Sequence, residues 1–216
     1  MAAEGWTWRI DPPQGWLHVP TTATLPPDLL TAWELEAAGL VRSSFRDVPE
    51  PEAGGDEGPD AVLDAVRDRV ATESVARLRT FAEGVVDAGA LVVAAVGVLD
   101  QTPTPVLVTV GAEPPDDAGD DLMTALGATG GNPVAPPRIE HVDLPDGDGM
   151  RVTRLDLDTE TGGAWLSVCL GRRTEHPDAV VDTVLQWRSQ DLLHGPAMIE
   201  LLDELLPTVR INRSAQ

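Results

Sequence analysis

The sequence predicts an α+β fold in which helices cover an antiparallel β-sheet. Short segments that alternate apolar and polar residues, typical of strands with one buried face, come in pairs separated by turn residues. Segments with apolar residues three or four positions apart, typical of amphipathic helices, lie before, between and after these strands. A chain of 216 residues is long enough for one domain, 1–216, with a substantial core.

The first two predicted strands are rich in tryptophan. "WTWRI" (6–10) and "WLHVP" (16–20) have the period of strands, and "DPPQG" (11–15) between them contains the residues of a tight turn. We therefore expect an N-terminal hairpin that Trp6, Trp8 and Trp16 fasten to the core. The alternative is a ligand box made of the same three tryptophans.

Two helices are predicted next. The first covers 25–39 and ends at Gly39, and the second covers about 59–86, with Glu73 and Arg77 spaced as a supporting ion pair. The apolar stripe expected on the second helix is Val62, Val66, Val70, Leu78, Phe81 and Val85. Between the helices, an acidic segment rich in Pro and Gly predicts a flexible loop at about 47–58.

The second half of the chain predicts most of the sheet. The runs 90–99 and 104–112 are apolar enough to be central strands covered on both faces. A short helix within 116–133 is followed by two strands around the turn "PDGDG" and by a further antiparallel pair, 164–171 and 179–189. A helix over 195–211 closes the chain, with the stripe Met198, Leu201, Leu202, Leu205 and Leu206.

Both ends of the chain resemble the PsbP-like α/β/α sandwich family, to which the LpqN-type actinobacterial proteins belong. The similarity lies in "IDPPQGWLHVP", in "GAWLSVCLG", in "DAVVDTVLQWRSQDL" and in the final helix with its "TVRI" tail. The middle of the chain departs from the family, and no lipobox cysteine lies near the N-terminus. The resemblance implies a binding or accessory module without a common active site.

The charge of the chain limits its partners. The formal net charge is −21, and all 15 basic residues are arginines. Such a surface disfavours nucleic acids and anionic membranes and favours encounter with a basic protein. The acidic segment 113–121 is the predicted contact, through Asp116, Asp117, Asp120 and Asp121. No secretory signal and no run long enough to span a bilayer are visible, so a cytoplasmic protein is expected.

The sequence contains no recognisable catalytic or cofactor motif, and no cofactor is expected. HExxH, GxSxG and Walker A patterns are absent, and the four histidines have no metal-ligand spacing. "GATGGNP" (127–133) and "PDGDG" (145–149) are interpreted as turns rather than as phosphate or calcium loops. Cys169, within an apolar strand, is interpreted as structural, and His176 is expected to be exposed in a turn.

One acidic pattern leaves an enzymatic alternative open. Asp156, Asp158 and Glu160 alternate in "LDLDTE", so a strand would place three carboxylates on one face, either as a solvated surface or as a metal-dependent hydrolytic site. The sequence favours a non-enzymatic protein-binding, accessory or chaperone-like module of an actinobacterium. The alternatives are an immunity-type protein that neutralises a cationic toxin, and the metal-dependent hydrolase.

Overall fold

The computed structural model describes residues 6–45, 58–97, 102–145 and 147–213, with only the backbone of 58–61. The predicted acidic loop at about 47–58 lies outside the described residues, except for Gly58, which begins a helix. In chain order the elements are β1 (Trp6–Ile10), β2 (Trp16–Val19), α1 (Pro27–Ser44), α2 (Gly58–Val85), β3 (Leu91–Ala95), β4 (Thr104–Glu113), α3 (Asp121–Ala125), β5 (Arg138–Leu144), β6 (Gly147–Leu157), β7 (Ala164–His176), β8 (Ala179–Ser189), α4 (Gly195–Leu205) and β9 (Val209–Arg213).

The strand pairs are antiparallel and four α-helices accompany them within the described residues, which confirms the predicted α+β class. The chain forms two compact units. The first comprises the described parts of 1–14, 88–91 and 106–216, and the second comprises those of 15–87 and 92–105. The expectation of one domain over 1–216 stays a prediction.

In the first unit, β6, β7 and β8 lie between two helices. The strand order is β4-β8-β7-β6-β5, and Cys169 of β7 is level with Val152 of β6. Cys169 and Val152 pack against Leu122 and Leu126, at α3 and its C-terminal end. Because alternate residues of a strand point to opposite faces, Leu166 of β7 lies on the other face, where α4 packs. The helices therefore cover opposite faces of these strands.

Gly171 of β7 shows how closely α3 approaches the strands. A Cβ atom at this position would lie 2.9 Å from the Thr183 carbonyl oxygen, 3.0 Å from Leu126 and 3.1 Å from Leu122. Contacts this short do not occur for real side chains, so the packing of α3 requires a glycine here.

The predicted N-terminal hairpin is wrong, although both of its strands exist. β1 pairs with β9, in a register that places Trp6 opposite Arg213 and Ile10 opposite Val209. The "TVRI" tail, predicted as the end of a helix, instead leaves α4 through a 3₁₀ turn and supplies this partner strand. β2 pairs with β3. The turn itself is confirmed, since Gly15 has a φ of +89°.

The second unit comprises β2, β3, α1 and α2. All of β3 beyond its first residue is buried, as predicted for a central strand. In β4, by contrast, burial at Val106 and Val108 alternates with partly exposed residues, so the prediction of two covered faces is wrong for that strand. The charged side chains of α2 also form the predicted ion pair between Glu73 and Arg77, at 3.7 Å.

The two long helices differ from their predicted outlines. α1 does not stop at Gly39 but continues to Ser44, because Val41 continues the buried stripe of Leu30 and Ala37. On α2 the buried stripe is formed by smaller residues than expected: Ala71, Ser74, Val75, Leu78 and Ala82. Of the predicted stripe only Leu78 is fully buried, and Val62, Val66 and Phe81 are exposed.

Gly39 provides a test of the corrected helix end. Gly39→Ala should raise the free energy of unfolding by about 0.5–1 kcal/mol, because glycine disfavours a helix interior and the added Cβ would meet no atom within 4 Å. The matched variant Gly15→Ala should lower it by about 1 kcal/mol, since that residue has a φ of +89°. Urea denaturation measures both, and a loss of stability in Gly39→Ala would contradict the observed helix.

Candidate functional site

The four predicted partner-binding aspartates lie on one exposed segment. Asp116 and Asp117 occupy a turn after β4, Asp120 directly precedes α3, and Asp121 is the first residue of α3. The turn is closed at Pro114, whose carbonyl oxygen accepts hydrogen bonds from the backbone N–H groups of Asp117 at 3.0 Å and of Ala118 at 3.2 Å. The segment therefore presents its carboxylates to solvent from a hydrogen-bonded turn.

Arg173 fixes this segment to the sheet. It lies opposite Asp182 in the β7–β8 register and donates two hydrogen bonds to that carboxylate, at 2.8 and 2.7 Å. A third hydrogen bond runs from Arg173 to the Gly119 carbonyl oxygen, at 2.9 Å. Hydrogen bonding to Asp182 raises the pKa of the Arg173 guanidinium, and the charges of Asp121 and Asp120 add to the effect. One buried-side cation thus holds the acidic segment in place.

A cleft of about 280 Å³ opens beside the acidic segment. Its polar wall carries three carboxylates, those of Glu113, Asp121 and Asp182, and its floor is made of small apolar side chains. The lining residues are Ala88, Gly89, Thr109, Val110, Gly111, Glu113, Ala118, Asp121, Ala125, Val180, Asp182 and Val184. The volume falls just below the range of about 300–1,000 Å³ typical of small-molecule sites.

The chemistry of this cleft suits one long cationic side chain. The stem of an arginine or lysine can lie along Val180 and Val184 while its charged end faces the carboxylates. Asp182 is already paired with Arg173, which leaves Asp121 and Glu113 for an incoming cation. Asp121 is the one predicted residue that lines the cleft, and Asp116, Asp117 and Asp120 lie outside its lining.

The structure does not bring Asp156, Asp158 and Glu160 together, so the hydrolytic site predicted from them is wrong. β6 ends at Leu157, before the alternation is complete. Asp156 is paired with Arg154, whose hydrogen bonds lower the pKa of that carboxyl. Asp158 accepts hydrogen bonds from Thr161 and from the backbone N–H of Glu160, and these also lower its pKa. Both aspartates are held ionised by local partners.

The segment "GATGGNP" wraps around a guanidinium group rather than a phosphate. Arg154 donates hydrogen bonds to the carbonyl oxygens of Gly127 at 2.7 Å, Thr129 at 3.3 Å and Gly130 at 2.9 Å. Carbonyl oxygens directed inward bind cations, so this loop cannot cradle an anion. The predicted interpretation as a helix end and turn is confirmed.

Cys169 and His176 have the surroundings of structural residues. Burial raises the pKa of the Cys169 thiol to about 12, so the reactive thiolate is disfavoured. His176 is not exposed in a turn, as predicted, but is the last residue of β7 and packs on Trp6, with ring centres 4.4 Å apart. Trp6 thus fastens β1 beside β7.

A histidine and two aspartates that the sequence did not connect lie close together on the β5–β6 hairpin. His141 lies 3.8 Å from Asp143 through Nδ1 and 3.8 Å from Asp148 through Nε2. Spacing along the chain gives little warning of this cluster, because Asp148 joins the other two residues only through the strand register. The available signal was the spacing of two between His141 and Asp143 on a predicted strand.

These features define an α+β protein with an acidic cleft. No protein-family model matches the chain, and no curated protein matches it. Among solved structures, it is similar to the crystal structure of LpqN, described as involved in cell envelope biogenesis of Mycobacterium tuberculosis. The two share 8% sequence identity, with a TM-score of 0.46 over 97% of this chain and 86% of that one. Membership of the PsbP-like family stays a prediction.

The chain contains no described helix long and apolar enough to cross a membrane.

Gly131 tests the arrangement around Arg154. Gly131→Ala should lower the free energy of unfolding by about 2–3 kcal/mol, because the new Cβ would lie 1.8 Å from Arg154 Nη2 and displace its hydrogen bonds. Gly130→Ala is the matched control, since its φ of +76° is equally left-handed but its Cβ would meet no atom within 4 Å. The control should cost about 1 kcal/mol. Equal losses in urea denaturation would show that Arg154 does not hold the loop.

The pair between Asp156 and Arg154 predicts a specific dependence on pH. Because the pKa of Asp156 is lowered in the folded protein, its contribution to stability is complete above the ordinary value of 3.8 and is lost as the pH falls further. The difference in unfolding free energy between the wild type and Asp156→Asn should therefore shrink as the pH is lowered from about 6 towards 2. Urea titrations across this range measure it, and a constant difference would count against the pair.

Proposed function

We propose that this protein is a non-enzymatic protein-binding or accessory module, of a chaperone-like kind, whose acidic cleft engages a basic segment of a partner protein. The observation that carries the proposal is the position of Asp121, which lines the cleft at the end of the exposed segment that also bears Asp116, Asp117 and Asp120. The recognised group is an arginine or lysine side chain. A nucleic acid or an anionic membrane surface would be repelled.

Long-range attraction supports the same proposal. A net charge of −21 steers a basic partner towards the protein from several ångströms beyond contact, and salt weakens this attraction over a Debye length of about 8–10 Å. The cleft then adds a local preference, because its wall carries carboxylates and its floor accepts an aliphatic stem. An immunity-type role is one version of this proposal, in which the basic partner is a cationic toxin.

The non-enzymatic part of the proposal draws on the engagement of the candidate catalytic groups. Asp156 is paired with Arg154, and Asp158 closes a turn. The thiol of Cys169 is buried and its pKa is raised to about 12. A cytoplasmic setting and an actinobacterial source belong to the proposal as well and rest on the sequence composition.

The test uses charge-matched variants. One variant neutralises the acidic segment by Asp116→Asn, Asp117→Asn, Asp120→Asn and Asp121→Asn. The control removes the same number of exposed charges elsewhere, by Glu36→Gln, Asp87→Asn, Glu200→Gln and Glu204→Gln. A labelled deca-arginine peptide should bind the first variant about tenfold more weakly than the wild type, since exposed pairs contribute about 0.2–1 kcal/mol each. The control should change the affinity less than threefold.

Salt and the native host provide the second arm. Binding of the peptide to the wild type should weaken steeply as ionic strength rises from about 0.05 to 0.3 M. A partner captured from the host should be retained by the control variant and lost by the segment variant. Equal weakening by both variants would mean that net charge alone governs binding, and the cleft would lose its assigned role.

A further inference from the structure

The outer part of the β5–β6 hairpin carries a second feature, separate from the acidic cleft. His141 and Asp143 are two residues apart on β5 and so share one face of that strand. Asp148 lies directly opposite Asp143 in the register of β6. All three side chains are exposed, and they come from a continuous antiparallel pairing that runs from 138 to 153. The hairpin thus presents one imidazole and two carboxylates at fixed backbone positions.

The ligand atoms are close enough to share one ion. One atom from each residue lies within 4.8 Å of the others, and the measured contacts of His141 with the two carboxylates are 3.8 Å each. Ligands bound to Zn²⁺ at about 2.0–2.1 Å in a tetrahedron are about 3.4 Å apart. Rotations that move these exposed side chains by about 1 Å would close the gap, and nothing in the pairing of the backbone would need to change.

The charge pattern of the hairpin also favours a bound cation. Asp143 and Asp148 face each other across the strands, and like charges in that position destabilise a pair of strands. Among the described residues, the ion pairs of both aspartates involve His141 and no arginine.

The two arginines of the hairpin are engaged elsewhere. Arg138 pairs with Glu140 at 2.8 Å, and Arg151 pairs with Asp203 of α4 at 2.9 Å. Both side chains belong to the opposite face of the strands, since 138 and 140 alternate with 141, and Arg151 lies opposite Glu140. The repulsion between Asp143 and Asp148 is therefore left for an ion from solution to offset.

We propose that His141, Asp143 and Asp148 form a surface site for a divalent transition-metal ion, of which Zn²⁺ is the representative. An imidazole nitrogen with two carboxylate oxygens is a ligand set for Zn²⁺ and its neighbours, whereas Ca²⁺ and Mg²⁺ prefer oxygen ligands throughout. Three protein ligands leave at least one coordination position for water or for a side chain of another molecule. The site is independent of the proposed binding cleft, so either assignment can fail alone.

Calorimetric titration of the full chain with ZnCl₂ tests the site. The wild type should bind one Zn²⁺ per chain, and His141→Gln, Asp143→Asn and Asp148→Asn should each weaken binding at least tenfold. His194→Gln is the matched control, because His194 lies 3.7 Å from one carboxylate, that of Asp191, and belongs to no three-ligand cluster of the described residues. The control should leave the affinity within twofold, and millimolar Ca²⁺ should not displace the Zn²⁺.

A spectroscopic measurement separates the site from adventitious binding to acidic side chains. Co²⁺ added in place of Zn²⁺ should give visible absorption bands that His141→Gln removes, and circular dichroism should show that this variant remains folded. Zn²⁺ binding that is unchanged in His141→Gln would overturn the proposal. So would equal losses in His194→Gln, full displacement by Ca²⁺, or no binding at about 100 µM metal, which is weaker than structural and catalytic zinc sites require.

Discussion

The alternation of side chains along β7 is the constraint on which the first unit depends. Because successive residues point to opposite faces, Cys169 and Gly171 face α3, and Leu166 faces α4. A slip of one residue in the pairing with β6 would exchange the two sets and place Arg151 against α3 instead of Asp203. Gly171 makes the arrangement stricter, since α3 packs where no other side chain would fit. The cleft beside α3 exists because this register is fixed.

Arginines then fasten the connecting segments to those strands. Arg173 holds the segment before α3 through Gly119, Arg154 holds the segment after it through Gly127 and Gly130, and Arg151 reaches α4 at Asp203. Each of these arginines also pairs with a carboxylate, and each is largely shielded from solvent. In a chain with 15 basic and 36 acidic residues, internal use of the cations leaves many surface carboxylates without a partner. The acidic cleft and the aspartates of the β5–β6 hairpin are consequences of this distribution.

Local patterns predicted the elements well and their partners poorly. Period and turn chemistry located β5 to β8 and α4, and they identified the acid-rich start of α3. They placed β1 in a hairpin because nearest-neighbour pairing is the usual outcome, yet its partner, β9, is almost the whole chain away. The end of α1 was misplaced for a related reason. Gly39 has the composition of a stop signal, but burial of Val41 outweighs the modest cost of a glycine within a helix.

The two cation sites had unequal prospects of being found in the sequence. The acidic segment is contiguous, so composition alone identified it, whereas its cleft depends on Asp182 and Glu113 from two paired strands. His141, Asp143 and Asp148 meet only through the register of a hairpin, which composition does not encode. The sites also differ in kind. Exposed carboxylates that attract an organic cation act over a Debye length and are weakened by salt. Direct coordination bonds are short and respond mainly to ligand identity. Ionic strength should therefore separate one chemistry from the other in the same molecule.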